Sequence, residues 1–580
     1  MLEGVSYLES RWDDHGGSPS TAGGYGPMHL TNLTPPETGL GKDGGPPPTG
    51  NAPAALHTAA RAAQLTGLTV SQVTSDDVAN ICAGAALLAS YQRVAGGPVG
   101  VRTAIEQWFQ AVRHYSQTPS TADATTFARR VLAVVMSGAA RVTNDGQRVS
   151  LAAVPGLRIP PAATPQGAPV DCPEDLNCEW IPAPYDWYGY PDPGAYGNHD
   201  LGNRPAAPDI RYIVIHDTET TYDEALSLVQ DPTYLAWNYT IRSSDGHVAQ
   251  HLDANDVGWH AGNWYVNMHS IGIEHEGFAA QGATWFTESL YQSSADLVKY
   301  LAAKYDVPLD RAHIIGHDQV PGILRKYVAG MHWDPGPYWD WQHYFDLLGA
   351  PFENGTRATP QNVDPGTVVT VAPDFATNDN RVTGCDQPGE PCPKQGSNFL
   401  YLRTAPNVHS HLVKDKGLHK HGYSTYDVAD IGARAAAGQQ LVVAGVHGNW
   451  IALWYLGERG WVHIPPGHSP LVLSTGEEVT VKPGAQTAPV YGRAYPERSA
   501  YPRKVPYQRV SPLQYTIKAG QEYVIADTSP QTDYYYATTY DDSAPHDHTD
   551  VVGKDKYLEI WFGHRVAYVN VDDVSVGQPS

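Results

Sequence analysis

Arg211-Tyr212-Ile213-Val214-Ile215-His216 is a short apolar run, rich in β-branched residues, that ends in an imidazole. A run without polar alternation fits a strand covered on both faces. Ile314-Ile315-Gly316-His317-Asp318 repeats that grammar about a hundred residues later, so a second buried strand delivers a second imidazole. His332-Trp333-Asp334-Pro335-Gly336-Pro337 then supplies a carboxylate just before a proline, where the chain is extended or turning. Any one of these histidines alone reads more readily as structural. Together, two imidazoles and a carboxylate with a fourth position for water make the ligand set of a hydrolytic zinc site.

Between them lies Ser270-Ile271-Gly272-Ile273-Glu274-His275-Glu276-Gly277, which alternates as a strand does. Ile271, Ile273 and His275 face one way; Gly272, Glu274 and Glu276 face the other. A carboxylate on the glycine-lined face can approach a ligand closely. The competing reading is an exposed edge strand with solvated acids.

In this order, His216, Ser-Ile-Gly-Ile-Glu274, Gly-His317-Asp-x-x-Pro-Gly and Asp334-Pro-Gly-Pro resemble the type 2 N-acetylmuramoyl-L-alanine amidases, the zinc family that includes peptidoglycan recognition proteins. The resemblance covers roughly residues 205 to 350. It implies that His216, His317 and Asp334 hold Zn2+ and that Glu274 is the general base. His332 stands where many members carry a lysine that steadies the oxyanion; an imidazole donates one hydrogen bond there, with a pH-dependent charge. His332 is also the alternative to Asp334 as third ligand. Trp237 takes the place of a tyrosine near the metal, and Trp259-His260-Ala261-Gly262 with Asn267 match positions lining the cleft. Trp237, His260 and Asn267 are thus candidate substrate-binding residues, with packing of the loop on the sheet as the alternative for the last two. The implied reaction is hydrolysis of the amide between the lactyl group of N-acetylmuramic acid and L-alanine. Zinc lowers the pKa of its water towards about 7 and polarises the carbonyl, Glu274 moves the proton to the leaving amine, and His332 stabilises the oxyanion.

With 580 residues the chain has room for several domains, each with its own core. Acids outnumber bases 61 to 38, and the net charge of -23 argues against nucleic acid or an anionic membrane as partner. Fifteen tryptophans and 35 tyrosines against nine phenylalanines suggest half-wet aromatic platforms of the kind that suit sugars, although ordinary β-domains share that composition. Cys172 with Cys178 and Cys385 with Cys392 are spaced for local disulfides, which implies an oxidising, extracellular setting. No window reaches the roughly 18 apolar residues of a membrane span, so no membrane insertion is expected. The start shows no basic, apolar signal peptide, which leaves trimming or unconventional export.

Residues 1 to 145 read as helical, with Val78, Ile81, Cys82, Ala85 and Leu88 on one buried face and Val101, Ile105, Trp108, Phe109, Val112 and Tyr115 on another. The Pro/Gly-rich stretch from Leu33 to Pro53 reads as a lid or insert. Tyr7-Leu8-Glu9-Ser10, Gly24-Tyr25-Gly26-Pro27-Met28-His29-Leu30, Asn80-Ile81 with Gly84-Ala85-Ala86, and Trp108 to Tyr115 resemble the lysozyme-like lytic transglycosylases. That resemblance makes Glu9 the acid, then base, on the glycosidic bond, with Tyr115 beside it. His29 departs from the family's usual glutamine, and the short helix before Glu9 leaves it without the packing that would desolvate it.

Residues 146 to 200 read as a Pro/Ala/Gly-rich linker that ends in Pro182-Ala-Pro-Tyr-Asp-Trp-Tyr-Gly-Tyr-Pro191. Residues 201 to 350 form an α/β domain with a mixed sheet and a helix capped at Thr287. A second linker spans 351 to 396. Leu400 to Pro406, Gly438 to Ala444, Gly448 to Trp454 and Gly460 to Val462 then mark short strands that resemble a bacterial SH3 domain over 397 to 468, and residues 469 to 580 repeat the order more loosely. The aromatics of these barrels either bind wall or pack on the amidase domain. The expectation is a secreted, monomeric, multidomain peptidoglycan hydrolase with a lysozyme-like helical domain, an α/β zinc amidase domain and two small all-β SH3-like barrels. Its rivals are a wall-binding protein with an idle site and a bifunctional enzyme that also uses Glu9.

Overall fold

The computed structural model describes residues 1–20, 23–32, 57–161, 170–282, 286–540 and 548–577. The stretch from Leu33 to Pro53 lies outside them. At the centre is a six-stranded mixed sheet made of β1 (Cys178–Trp180), β2 (Tyr212–Asp217), β3 (Tyr239–Ile241), β4 (Val248–Gln250), β5 (Ser270–His275) and β6 (Ile314–Gly316), in the order β6-β2-β5-β3-β4-β1. β2, β5, β3 and β6 run parallel, so the apolar runs at 212–215 and 314–315 are covered on both faces. β5 lies inside the sheet between β2 and β3, which excludes the edge-strand reading of Glu274.

Period two then sorts the faces. Ile213, Ile215, Ile271 and Ile273 pack under helix α1 (Glu288–Tyr305) with Leu290, Leu297, Val298 and Leu301. Thr287 caps that helix through Leu290 N at 3.2 Å, as its sequence implies. Tyr212 and Val214 face the other way, against Ala261, Val266, Ile315 and Met331. His216 and Glu274 continue that second face, and they are register partners.

The N-terminal region has its own helical core. Its helix Asp77–Val94 buries Asn80, Ala83, Gly84, Leu87 and Leu88, whereas Val78 is 71% exposed and Cys82 is also exposed. The face expected from hydropathy is therefore rotated. Asn80 is drawn inward because it satisfies Met28 N and Tyr25 O at 2.8 Å each, and Gly84 admits Met28 where a Cβ would stand 2.6 Å from it. Val101, expected on a helical face, is fully exposed, and the helix begins only at Phe109.

Both supposed linkers contribute strands. Cys178–Trp180 joins the central sheet, and Val368–Val371, a β-branched tetrapeptide amid turn-forming residues, joins the first C-terminal unit. That unit contains β7 (Val368–Val371), β8 (Gln440–His447), β9 (Trp450–Tyr455), β10 (Glu458–His463) and β11 (Leu471–Leu473), ordered β10-β9-β8-β7-β11. The second contains β12 (Glu478–Val481), β13 (Tyr523–Asp527), β14 (Tyr557–Trp561), β15 (Val566–Asn570) and β16 (Val574–Gly577), ordered β15-β14-β13-β12-β16. Strand order, antiparallel pairing and an irregular register between the second and third strands all repeat. The two units share one apolar cluster. Tyr495, Tyr535, Tyr557 and Tyr568 of the second unit pack on Val257, Tyr265 and Met268 of the central domain. Disulfides join Cys172 to Cys178 and Cys385 to Cys392. Among the described residues no helix is long and apolar enough to cross a membrane.

Candidate metal centre

His216 ends the apolar stretch of β2, His317 follows β6 directly, and Asp334 sits on the loop beyond, where Asp318 N donates to its carbonyl at 2.8 Å. One ligand atom from each of the three lies within 4.8 Å of the others. Asp334 approaches His216 Nδ1 at 3.1 Å through Oδ2 and His317 Nδ1 at 3.2 Å through Oδ1. Ligand atoms about 2.0–2.2 Å from a tetrahedral zinc stand roughly 3.3–3.5 Å apart, so this donor set fits one cation. Glu274 Oε1 is 4.0 Å from His216 Nδ1, on the neighbouring strand. His332 stands on the open side: its side chain is 49% exposed, its Nδ1 lies 3.6 Å from Asp334 Oδ1, and its ring is 4.9 Å from that of His317. Asp334 rather than His332 completes the close-set trio.

The structure places His260 behind the trio. It is 4% exposed, with Nδ1 2.9 Å from His216 Nε2 and Nε2 3.3 Å from Ser270 Oγ. Burial, and then the neighbouring His216 and His317, push its pKa well below the usual 6.5, so the ring is neutral. The space for it is made by Gly272, where a Cβ would lie 2.6 Å from the His260 ring. A glycine opposite Val214 on the site face was the sequence signal for this ring. Trp237 is 3% exposed, and its indole N–H donates to Thr240 Oγ1 at 2.7 Å. Asn267 Oδ1 accepts from Ala261 N at 2.7 Å and so holds the His260 loop. Each of these three is thus buried and engaged with an internal partner.

Further residues steady the site from a distance. Arg204, 1% exposed, donates to the carbonyls of Ala254 at 3.1 Å and Ser270 at 2.6 Å. Burial lowers its pKa to about 10. His564 of the second C-terminal unit places Nε2 2.8 Å from Asp318 Oδ2, beside His317. Asn398 of the first unit donates from Nδ2 to Gly336 O at 2.9 Å and to Trp339 O at 2.8 Å, fixing the turn after Asp334. Gly336 has φ +80° there, and a Cβ would meet Ala279 at 2.8 Å.

Glu9 belongs to the helical N-terminal region, in the helix Leu2–Ser10, 5% exposed, with Oε2 3.2 Å from His29 Nδ1. The short helix does desolvate it, because Gly4 lets the helix sit closely on Val131 and Val135. Burial raises its pKa, and His29 opposes the shift. Tyr115 is directed to Met28 O at 2.9 Å.

Residues 206–337 match a family model described as N-acetylmuramoyl-L-alanine amidase. N-acetylmuramoyl-L-alanine amidase A of Achromobacter lyticus is 31% identical over 156 residues, which are 24% of this chain and 82% of that protein. N-acetylmuramoyl-L-alanine amidase CwlH of Bacillus subtilis is 31% identical over 232 residues, 38% of this chain and 78% of its own. Among solved structures, a mutant endolysin from Bacillus subtilis shares 21% identity across 30% of this chain and 99% of its own, with a TM-score of 0.21. With its two histidines, aspartate and glutamate gathered at the ends of parallel strands, the chain belongs to the N-acetylmuramoyl-L-alanine amidases.

Proposed function

We propose that this peptidoglycan amidase is zinc-dependent and acts outside the cell on the bond between the lactyl group of N-acetylmuramic acid and L-alanine. The carrying observation is the convergence of His216, His317 and Asp334 with Glu274 on the adjoining strand. His216, His317 and Asp334 would hold a zinc ion, which when bound would supply Lewis acidity to the scissile carbonyl and acidify water. Glu274, poised beside His216, takes a proton from the attacking water and returns it to the leaving amine. His332, half exposed next to Asp334, donates to the oxygen that becomes negatively charged. His260 fixes the tautomer and orientation of His216, while Trp237 and Asn267 support the cleft from behind. The two C-terminal units are read as SH3-like barrels, and the two disulfides support an extracellular site of action. Purified sacculi digested with and without a chelator, followed by mass spectrometry, test the reading. Lactyl ends and L-alanine amino termini are expected, and chelation is expected to abolish them; product that survives complete metal removal refutes the zinc mechanism.

A second reading is favoured by Glu9, whose burial holds the carboxyl towards its protonated, proton-donating form. In it the helical domain is lysozyme-like and also cleaves the glycan strand. Anhydro-sugars that persist under chelation and vanish in Glu9→Gln are the expected signature.

A further inference from the structure

The hairpin of residues 185–197 carries three rings that the amide chemistry does not use. Trp187, Tyr188 and Tyr190 are 38%, 51% and 80% exposed. The hairpin that carries them is nevertheless braced, and the Trp187 ring with it. Trp187 bridges Tyr196, Tyr188 N and Gly189 N both donate to Ala195 O at 3.1 Å, and the Trp187 indole N–H donates to Asp192 O at 2.7 Å. Gly189 permits this tight return, since a Cβ there would overlap Ala195 Cβ at 1.9 Å. The second C-terminal unit clamps the hairpin: Tyr540 N donates to Pro193 O at 3.0 Å, and the Tyr540 hydroxyl donates to Tyr185 O at 3.2 Å. Its ring lies near-parallel to those of Tyr185 at 4.9 Å and Trp187 at 6.0 Å. Trp187 and Tyr190 meet at 5.1 Å and 62°, leaving an open corner.

Large rings held in water are costly to expose and mark a binding surface. Two rings at a steep angle offer a flat face and a wall. That shape fits a pyranose, whose C–H face packs on an aromatic ring while its hydroxyls stay in water. Three rings fall far short of the roughly 800 Å² per partner that a stable protein interface needs. With a net charge of -23 on the chain, a neutral sugar is also favoured over an anionic polymer. The rings continue inward from Tyr185 to Tyr196 at 5.8 Å and to Trp259 at 6.2 Å, and Trp259 precedes His260, the ring behind His216.

We propose that Trp187 and Tyr190 form a glycan-binding corner that holds a sugar of the peptidoglycan strand while its stem peptide occupies the metal centre. The inference rests on the amidase reading for the identity of the strand. Full-length protein and the Trp187→Ala/Tyr190→Ala double variant are compared on sacculi, on a muramoyl peptide bearing one sugar, and by calorimetric titration with a β-1,4-linked N-acetylglucosamine hexamer. The double variant is expected to bind the hexamer about tenfold more weakly and to show a similar rise in KM on sacculi, with kcat and single-sugar turnover unchanged. Equal hexamer binding by both proteins, or equal losses on the single-sugar substrate, would overturn the corner. Failure of the wild type to release L-alanine termini from either substrate would refute the amidase reading instead, and the hexamer titration would still judge the corner.

Discussion

His216 has two ring nitrogens, and the fold commits both. Nδ1 turns to Asp334 and the proposed metal position, and Nε2 meets the neutral ring of His260. A ligand pinned from behind keeps one tautomer and one orientation, which raises metal affinity without touching the metal. Gly272→Ala should therefore act on zinc, because its Cβ would drive into His260; equilibrium dialysis should show about ten- to hundredfold weaker binding. Glu274 makes the opposite prediction. Glu274→Gln keeps the shape and the zinc content, measured by atomic absorption, while kcat on sacculi falls about a hundred- to ten-thousandfold for want of a proton acceptor.

At the scale of elements, the loop after β6 is gripped by both C-terminal units, Asp318 by His564 and the turn after Asp334 by Asn398. His564→Ala should thus lower zinc affinity measurably in a chain whose circular dichroism is unchanged, and His564→Gln should recover part of it; equal affinity in all three proteins would show the contact to be idle. How much of this was legible follows from range. The runs at 212–215 and 314–315, the alternation around Glu274 and the cap at Thr287 are local signals, so the strands and the trio could be read directly. His260 could be assigned to the cleft by resemblance but not to its place behind His216, which depends on the sheet pairing that brings Gly272, twelve residues away, under its ring. His564 is 246 residues from Asp318, and no periodicity reports such a contact. In the helix Asp77–Val94, a buried polar side chain satisfying a distant loop outweighed hydropathy, and Cys82 turned outward as a result.

Across the whole molecule, charge rather than apolar contact alone joins the central domain to the second C-terminal unit, and this makes the assembly pH-sensitive in a defined direction. His269 is fully buried between Asp533 at 2.8 Å and Asp209 at 3.0 Å, and Asp533 is the main group that, against desolvation, raises its pKa to about 10. His313, held by Asp310 and Asp527, is raised to about 9. A histidine raised in the folded state stabilises fully below its unfolded value of about 6.5, and that contribution is lost as pH rises through the folded value. Glu559, which accepts from the Tyr212 hydroxyl, is raised by burial to about 7, so its ionisation also weakens the folded state as pH rises. All three terms have one sign. Raising the pH from 6.5 to 10 should lower the melting temperature of the full chain, with His269 contributing on the order of several kcal/mol. His269→Gln should begin less stable at pH 6.5 and decline less steeply, since it has no proton to lose. Calorimetric scans of both proteins across that range check the slope, and parallel curves would show that this buried pair does not govern how the two domains stay joined.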